Sequence, residues 1–129
     1  MAVQVTWGNA EHTYTLFKFS GRWTWEEYYQ AIKDGYELTK DEPGVVNILV
    51  DMTEARLLPG DVLTHAEASM RQPLRSFDLA VIVSISPFVS AIVNIIERLY
   101  GRSGTHIKCV KTEAEAHQLL ADHDRQQLV

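Results

Sequence analysis

From Leu79 to Ile96 the chain runs for 18 residues without a formal charge, and a stretch of that kind has to be buried either in a protein interior or in a bilayer. Its middle decides between them. Ser84, Ser86 and Pro87 interrupt the run, Asn94 adds a further polar group, and Asp78 stands at its start. Those residues suit a buried strand over Leu79–Ile85 followed by a helix that opens at Pro87, where the missing N–H of proline leaves no bond unmade. No membrane insertion is expected.

The same alternation of strand and helix recurs along the chain. Val3, Val5 and Trp7 alternate with polar residues, Gly8-Asn9 supplies turn chemistry, and Tyr14–Phe19 returns as the second strand of a hairpin closed by Gly21. Thr24 and Glu27 have the spacing of a capping box. The helix they open places Trp25, Tyr28, Tyr29, Ile32 and Tyr36 on one face. Val45–Val50 is a short apolar strand interrupted by Asn47, and Met52–Gly60 reads as a loop. A second helix starts at Asp61 or the Pro59-Gly60 turn, with Val62, Leu63, Ala66 and Met70 inward, and stops at Pro73; Gly101 and Gly104 bracket the exit of the third. His106–Val110 is the last strand. Thr112 and Glu115 cap a final helix that packs Ala116, Leu119 and Leu120, and the polar end from Asp122 is expected to fray. The order is β-β-α-β-α-β-α-β-α, an α/β chain read as a single domain over residues 1–129, with right-handed crossovers.

A length of 129 residues supports one core, and 46% hydrophobic with 22% charged residues is ordinary globular composition. The net charge of −5 and the lack of a basic stripe argue against nucleic acid, which is bound through clustered Lys and Arg. Cys109 stands alone, so neither an internal disulfide nor a cysteine zinc site can form. With no basic residue ahead of an apolar run at Met1–Trp7, a cytoplasmic protein is expected.

Two junctions carry a family resemblance. Leu49-Val50-Asp51-Met52-Thr53 is similar to the strand of STAS domains that ends in Asp-Leu-Ser, and Ile85-Ser86-Pro87-Phe88-Val89 is similar to their Ser-Pro-x-Val turn. With the element order, the chain resembles the STAS-like, or SpoIIAA-like, proteins related to anti-sigma-factor antagonists. The resemblance implies a mixed, mostly parallel sheet with helices packed against it, and a non-enzymatic module that binds a protein partner. Signalling members carry an Asp-Ser-Ser-Gly phosphorylation motif, which falls here near Pro59-Gly60-Asp61-Val62 and lacks the acceptor serine. The partner surface implied is Asp51, Thr53, Arg56, Gly60 and Asp61. Thr53 holds the strand-end serine position, so Thr53→Glu is expected to remove partner binding without lowering the melting temperature.

Catalytic and metal chemistry find little support. No Gly-x-Ser-x-Gly elbow, Walker motif or His-Glu-x-x-His is present. Asp51, Asp61, His65 and Glu67 could gather at a strand-end edge, but Asp61 reads as a helix cap, and His65 and Glu67 point to different helical faces. No catalytic residue, metal or cofactor is expected, Cys109 reads as a structural thiol, and Arg56, Arg71 and Arg75 as solvated surface. The unexplained feature is the helix from Pro87. Phe88, Val89, Ile92, Val93, Ile95, Ile96, Leu99 and Tyr100 cover more of its circumference than one sheet requires. Val62, Phe88, Ile92, Ile95, Ile96 and Leu99 are therefore candidates for a homodimer face or for the wall of an apolar-ligand site, and Trp23 and Trp25 for core or a pocket mouth. Two functions stay open: an interaction module that binds a protein partner, and a carrier or sensor of a lipid-like or other apolar small molecule. An internal apolar cavity would mark the second.

Overall fold

Period-two alternation in the strands builds two different faces on one sheet. In the computed structural model, which describes residues 2–57, 59–70, 77–100 and 105–127, the strands are β1 (Val3–Trp7), β2 (Tyr14–Arg22), β3 (Asn47–Leu57), β4 (Leu79–Val83) and β5 (His106–Val110). They lie in sequential order β1-β2-β3-β4-β5, with β1 antiparallel to β2 and every other pair parallel. The helices are α1 (Trp25–Thr39), α2 (Val62–Met70), α3 (Pro87–Tyr100) and α4 (Glu113–Gln127).

Because the parallel strands are added in one direction, right-handed crossovers put α1, α2 and α3 on the same face, and only α4, after the last strand, covers the other. The α4 face is a closed core in which Leu49, Val81, Val83, Ala116 and Leu120 are fully buried around Tyr14 and Leu79. On the opposite face Phe17 and Phe19 pack with Ala31 of α1, while Ala80 and Ile107 pack with Val89, Val93 and Ile96 of α3.

Asn47 is buried, and its Oδ1 accepts from the amides of Asp78 and Leu79 at 2.9 and 3.0 Å, which ties the start of β4 to β3. The residue that interrupts the apolar run is thus the one that fixes where the next strand begins. The capping box at Thr24 and Glu27 is present in both directions. The amide of Glu115 donates to Thr112 Oγ1, and Ser86, directly before Pro87, caps α3 by accepting from the amide of Val89.

Several sequence expectations change. Met52–Leu57 is strand, not loop: β3 continues past the end of β4 and pairs with Ser20–Arg22 of β2, across a bulge where Gly21 has φ 58. With no β4 neighbour there, the segment carries the polar residues that made it read as a loop. The buried side of α1 is Ala31, Ile32, Gly35 and Thr39, while Tyr36 is exposed. Gly35 lies so close to β2 that a Cβ there would stand 2.8 Å from the Phe17 ring. Asp61 has φ 60, not the extended backbone of a side-chain cap, and its carbonyl receives the first helical bond from His65. The C-terminal polar stretch stays helical to Gln127, held in part by Thr13 Oγ1 donating to Asp124 at 2.6 Å. The helix stop at Pro73, the exit glycines Gly101 and Gly104, and Arg71 and Arg75 lie outside the described residues.

The two leucines of α4 separate core from surface: Leu120 is fully buried and Leu119 is 36% exposed. Leu120→Ala is expected to lower unfolding free energy by about 2–5 kcal/mol and Leu119→Ala by less than about 1 kcal/mol, measured by urea denaturation.

Candidate ligand cavity between α2 and the sheet

α2 turns Val62, Ala66 and Ser69 toward the sheet, a helical stripe at i, i+4 and i+7 made of short side chains. Opposite them β3 presents Ile48, Val50 and Met52, and β4 presents Ala80 and Ile82. Between them lies a cavity of about 230 Å³, and Ala66 also packs against the core cluster of Ala80, Val89, Val93, Ile96 and Ile107. Aromatic rings of β2, α1 and the turn between them (Phe17, Phe19, Trp23, Trp25, Tyr28) close one flank, and Val89, Ile92, Val93 and Ile96 of α3 close the other. None of the described lining residues carries a formal charge.

A polar and aromatic clasp to α1 holds α2 over this space. The His65 ring stacks on Trp25 with centroids 4.2 Å apart, and its Nδ1 lies 2.8 Å from the Tyr29 hydroxyl. Tyr28 donates to Ser69 Oγ at 2.7 Å, Ser69 in turn donates to the His65 carbonyl, and Trp25 Nε1 donates to the Gly60 carbonyl at 2.7 Å. Burial pushes the Tyr28 phenol above its ordinary pKa, against the opposing effect of the Ser69 bond, as expected for a hydroxyl in a dry wall. Trp23 packs edge-on against Phe19 and Trp25, and its indole Nε1 is buried without a hydrogen-bond partner.

The apolar residues singled out in the sequence divide. Val62, Ile92 and Ile96 line the cavity, whereas Phe88, Ile95 and Leu99 are exposed on the outer side of α3. Trp23 and Trp25 both line it. Phe17, Phe19 and the inward residues of β3 and β4 gave no separate signal, because a strand that faces a cavity has the same alternation as one that faces a helix.

The five residues of the implied partner surface also divide. Asp51 is 1% exposed, on the α4 side of β3, and its Oδ1 accepts from both the amide and the hydroxyl of Thr53, at 2.9 and 2.7 Å. Thr53 is exposed, so Asp51 reaches the surface through it. Arg56 borders a second hollow with Ser84, Ser86 and Phe88, and Met52 and Val89 line both this hollow and the cavity. Gly60 and Asp61 are exposed at the α1–α2 clasp.

Around Asp51 the α4 face carries a polar group that sequence spacing did not bring together. Burial works to raise the Asp51 pKa, but hydrogen bonding with the Glu113 carboxyl, the two bonds from Thr53 and the Lys18 ammonium outweigh it and hold the carboxyl below its usual value. Glu113 also lies 3.2 Å from His117 Nε2, whose Nδ1 meets the Tyr14 hydroxyl at 2.5 Å. A carboxylate at position 53 would face Asp51 directly, so the arrangement gives Thr53→Glu a cost in stability. Among the described residues no group of three His, Cys, Asp or Glu side chains has metal-binding geometry. Partial burial raises the Cys109 thiol above its usual pKa, against the opposing effect of the Ser90 hydrogen bond, which keeps it in the thiol form at neutral pH. No helix of the described residues is long and apolar enough to cross a membrane.

The architecture matches a crystal structure of an uncharacterized protein from Shewanella loihica PV-4, a DUF3478 family member with a SpoIIAA-like fold, at a TM-score of 0.64 and 16% identity over 92% of this chain and 94% of that one. No family model and no curated protein matches the sequence. The β-β-α-β-α-β-α-β-α order on a mixed, mostly parallel sheet is therefore the SpoIIAA-like fold, as the strand-end and Ser-Pro motifs implied.

A carboxyl held low stabilises the fold above the ordinary carboxylate range, and that contribution is lost as pH falls through its folded value. The unfolding free energy of the wild type, measured by urea denaturation, is expected to fall below pH about 4, and that of Asp51→Asn to fall less there while starting lower by about 1–3 kcal/mol at pH 7. Glu97, which burial would raise but which the Ile107 amide and His106 hold low, retains part of the acid sensitivity in both.

Proposed function

We propose that this chain, with its SpoIIAA-like fold, is a non-catalytic carrier or sensor that holds an apolar small molecule between the sheet and α2. The observation that carries the reading is the cavity itself. Leaving an apolar space of about 230 Å³ unfilled forfeits packing contacts along its walls, a cost to the folded state. Filling it with an apolar molecule offsets that cost and links ligand to stability. The absence of charge from the described walls favours molecules taken up by the hydrophobic effect.

A protein partner is a compatible second role, supported by the apolar side chains at the C-terminal end of β4. Ile85 is 81% and Phe88 54% exposed, and Phe88 borders the hollow that also holds Arg56. Since Met52 and Val89 line both spaces, occupancy of the cavity would be felt at this surface. In this proposal Thr53 and Arg56 contact the partner, and Ile95 and Leu99 on the outer side of α3 serve pairing between two copies of the chain.

Native mass spectrometry of the purified protein reports bound small molecules and oligomeric state together, and the neutral fluorophore N-phenyl-1-naphthylamine reports the cavity directly. The fluorophore is expected to bind and, at 100 times its Kd, to raise Tm by on the order of 10 °C. Ala66→Phe, which fills the space from α2, is expected to lower its affinity at least tenfold, whereas Ala91→Phe on the exposed side of α3 leaves it unchanged. Equal binding by both variants would exclude the cavity as the site.

A further inference from the structure

The apolar cavity shares two walls, Met52 and Val89, with the hollow beyond the C-terminal end of β4. That hollow measures about 270 Å³, and its other walls are Ala55, Arg56, Ser84, Ser86 and Phe88. Where the cavity is uncharged, the hollow holds a cation and two hydroxyls. Strict alternation would send Ala55 and Arg56 to opposite faces of the sheet. A bulge prevents this: Gly21 pairs with Ala55 and Arg22 with Leu57, which leaves Arg56 as the extra residue. Arg56 therefore lines the same hollow as Ala55. Among the described residues no side chain forms a hydrogen bond or ion pair with its guanidinium. Ser84 is buried, and its Oγ accepts from the Ser86 amide at 3.1 Å, while Ser86 Oγ accepts from the Val89 amide at 3.3 Å. Both hydroxyls keep a hydrogen to donate, and no described residue accepts it.

We propose that the hollow is the head-group end of the ligand site, and that the molecule carried is a single-chain amphiphile ending in an oxyanion, a carboxylate or a phosphate monoester. Its alkyl chain lies in the apolar cavity, and its anionic oxygens pair with Arg56 and accept from Ser84 and Ser86. A guanidinium presents a planar fork of donors to two oxygens at once, which suits both head groups. The boundary between the two spaces is Met52 and Val89, and an unbranched methionine side chain rearranges readily to let a chain pass. Arg56 is exposed, so a charge beside it keeps part of its hydration, whereas the same charge inside the cavity would lose its hydration with no counter-charge. The proposal rests on the carrier reading and names its ligand class. A bound head group also covers the guanidinium that a protein partner would contact, so loaded and empty chains present different surfaces at Arg56.

The test uses decanoate, decyl phosphate, decan-1-ol and acetate, each displacing N-phenyl-1-naphthylamine from the full chain at pH 8 and below the micelle concentration. At least one long-chain anion is expected to bind about tenfold more tightly than the alcohol, the worth of a charge-assisted hydrogen bond, and the stronger of the two anions identifies the head group. Acetate, which has the charge without the chain, is expected not to compete. Arg56→Gln is expected to bring the anions down to the affinity of the alcohol and to leave the alcohol unchanged, and Arg56→Lys to restore part of the difference. The guanidinium has no described partner in the fold, and the anion-to-alcohol ratio within one variant is insensitive to a general loss of packing. The proposal is overturned, and the carrier reading left intact, if the alcohol competes as well as both long-chain anions or if acetate matches decanoate. An anion-to-alcohol ratio unchanged in Arg56→Gln, or a bound fluorophore that none of the probes displaces, has the same meaning. Failure of the fluorophore to bind at all removes both.

Discussion

Much of this structure depends on the alternation of side chains along β3. Parallel pairing on both sides places the strand at the centre of the sheet, with Leu16 opposite Leu49 and Val81 beyond it. Leu49 and Asp51 then face α4, while Ile48, Val50 and Met52 face the three crossover helices. A one-residue slip would exchange the two sets and bury the carboxylate in the apolar cavity. Asn47 opposes that slip by holding the amides of Asp78 and Leu79, so the polar residue in the apolar run secures the register on which both faces rely.

The two faces solve different packing problems. Against α4, large aliphatic side chains interdigitate until Leu49, Val81 and Leu120 have no exposed surface, the density expected of a protein interior. Against α2 the packing is incomplete: the short side chains of Val62, Ala66 and Ser69 border the cavity, while Ala66 also packs against the cluster of Ala80 and α3. The helix is tied to its neighbour α1 through the His65–Trp25 stack and the Tyr28–Ser69 and Tyr29–His65 contacts. Directional contacts at the rim keep a helix at a distance that hydrophobic packing alone would close. A space kept open in this way is suited to a ligand, and the proposed carrier role follows from that division between rim and interior.

The polar groups are segregated in the same manner. Asp51, Glu113, His117 and Tyr14 are linked along the α4 side of the sheet, while the described cavity walls opposite bear no formal charge. Communication between ligand and surface would pass instead through Met52 and Val89, which border both the cavity and the hollow beside Arg56 and Phe88.

By itself the sequence determined the element order and the class of fold. Caps at Thr24 and Thr112, proline at the first turn of α3 and the two periods of apolar residues are local features, set by contacts within a few positions of chain. It also marked α3 as more apolar than one sheet requires, and Val62, Ile92 and Ile96 as candidate walls. What only the tertiary structure decided lies in pairings between distant segments. The strand Met52–Leu57 reads as a loop because its partner, Ser20–Arg22, is remote in sequence and its other edge has no β4 neighbour. Trp23, Phe17 and Phe19 carry the alternation of ordinary core residues. Whether such a residue meets another side chain or a void depends on the length of the side chain across the gap, here Ala66, and on the contacts that hold its helix away. Both are properties of the assembled fold, because burial alone leaves the same imprint on a sequence whether the neighbouring space is filled by the protein or left for a ligand.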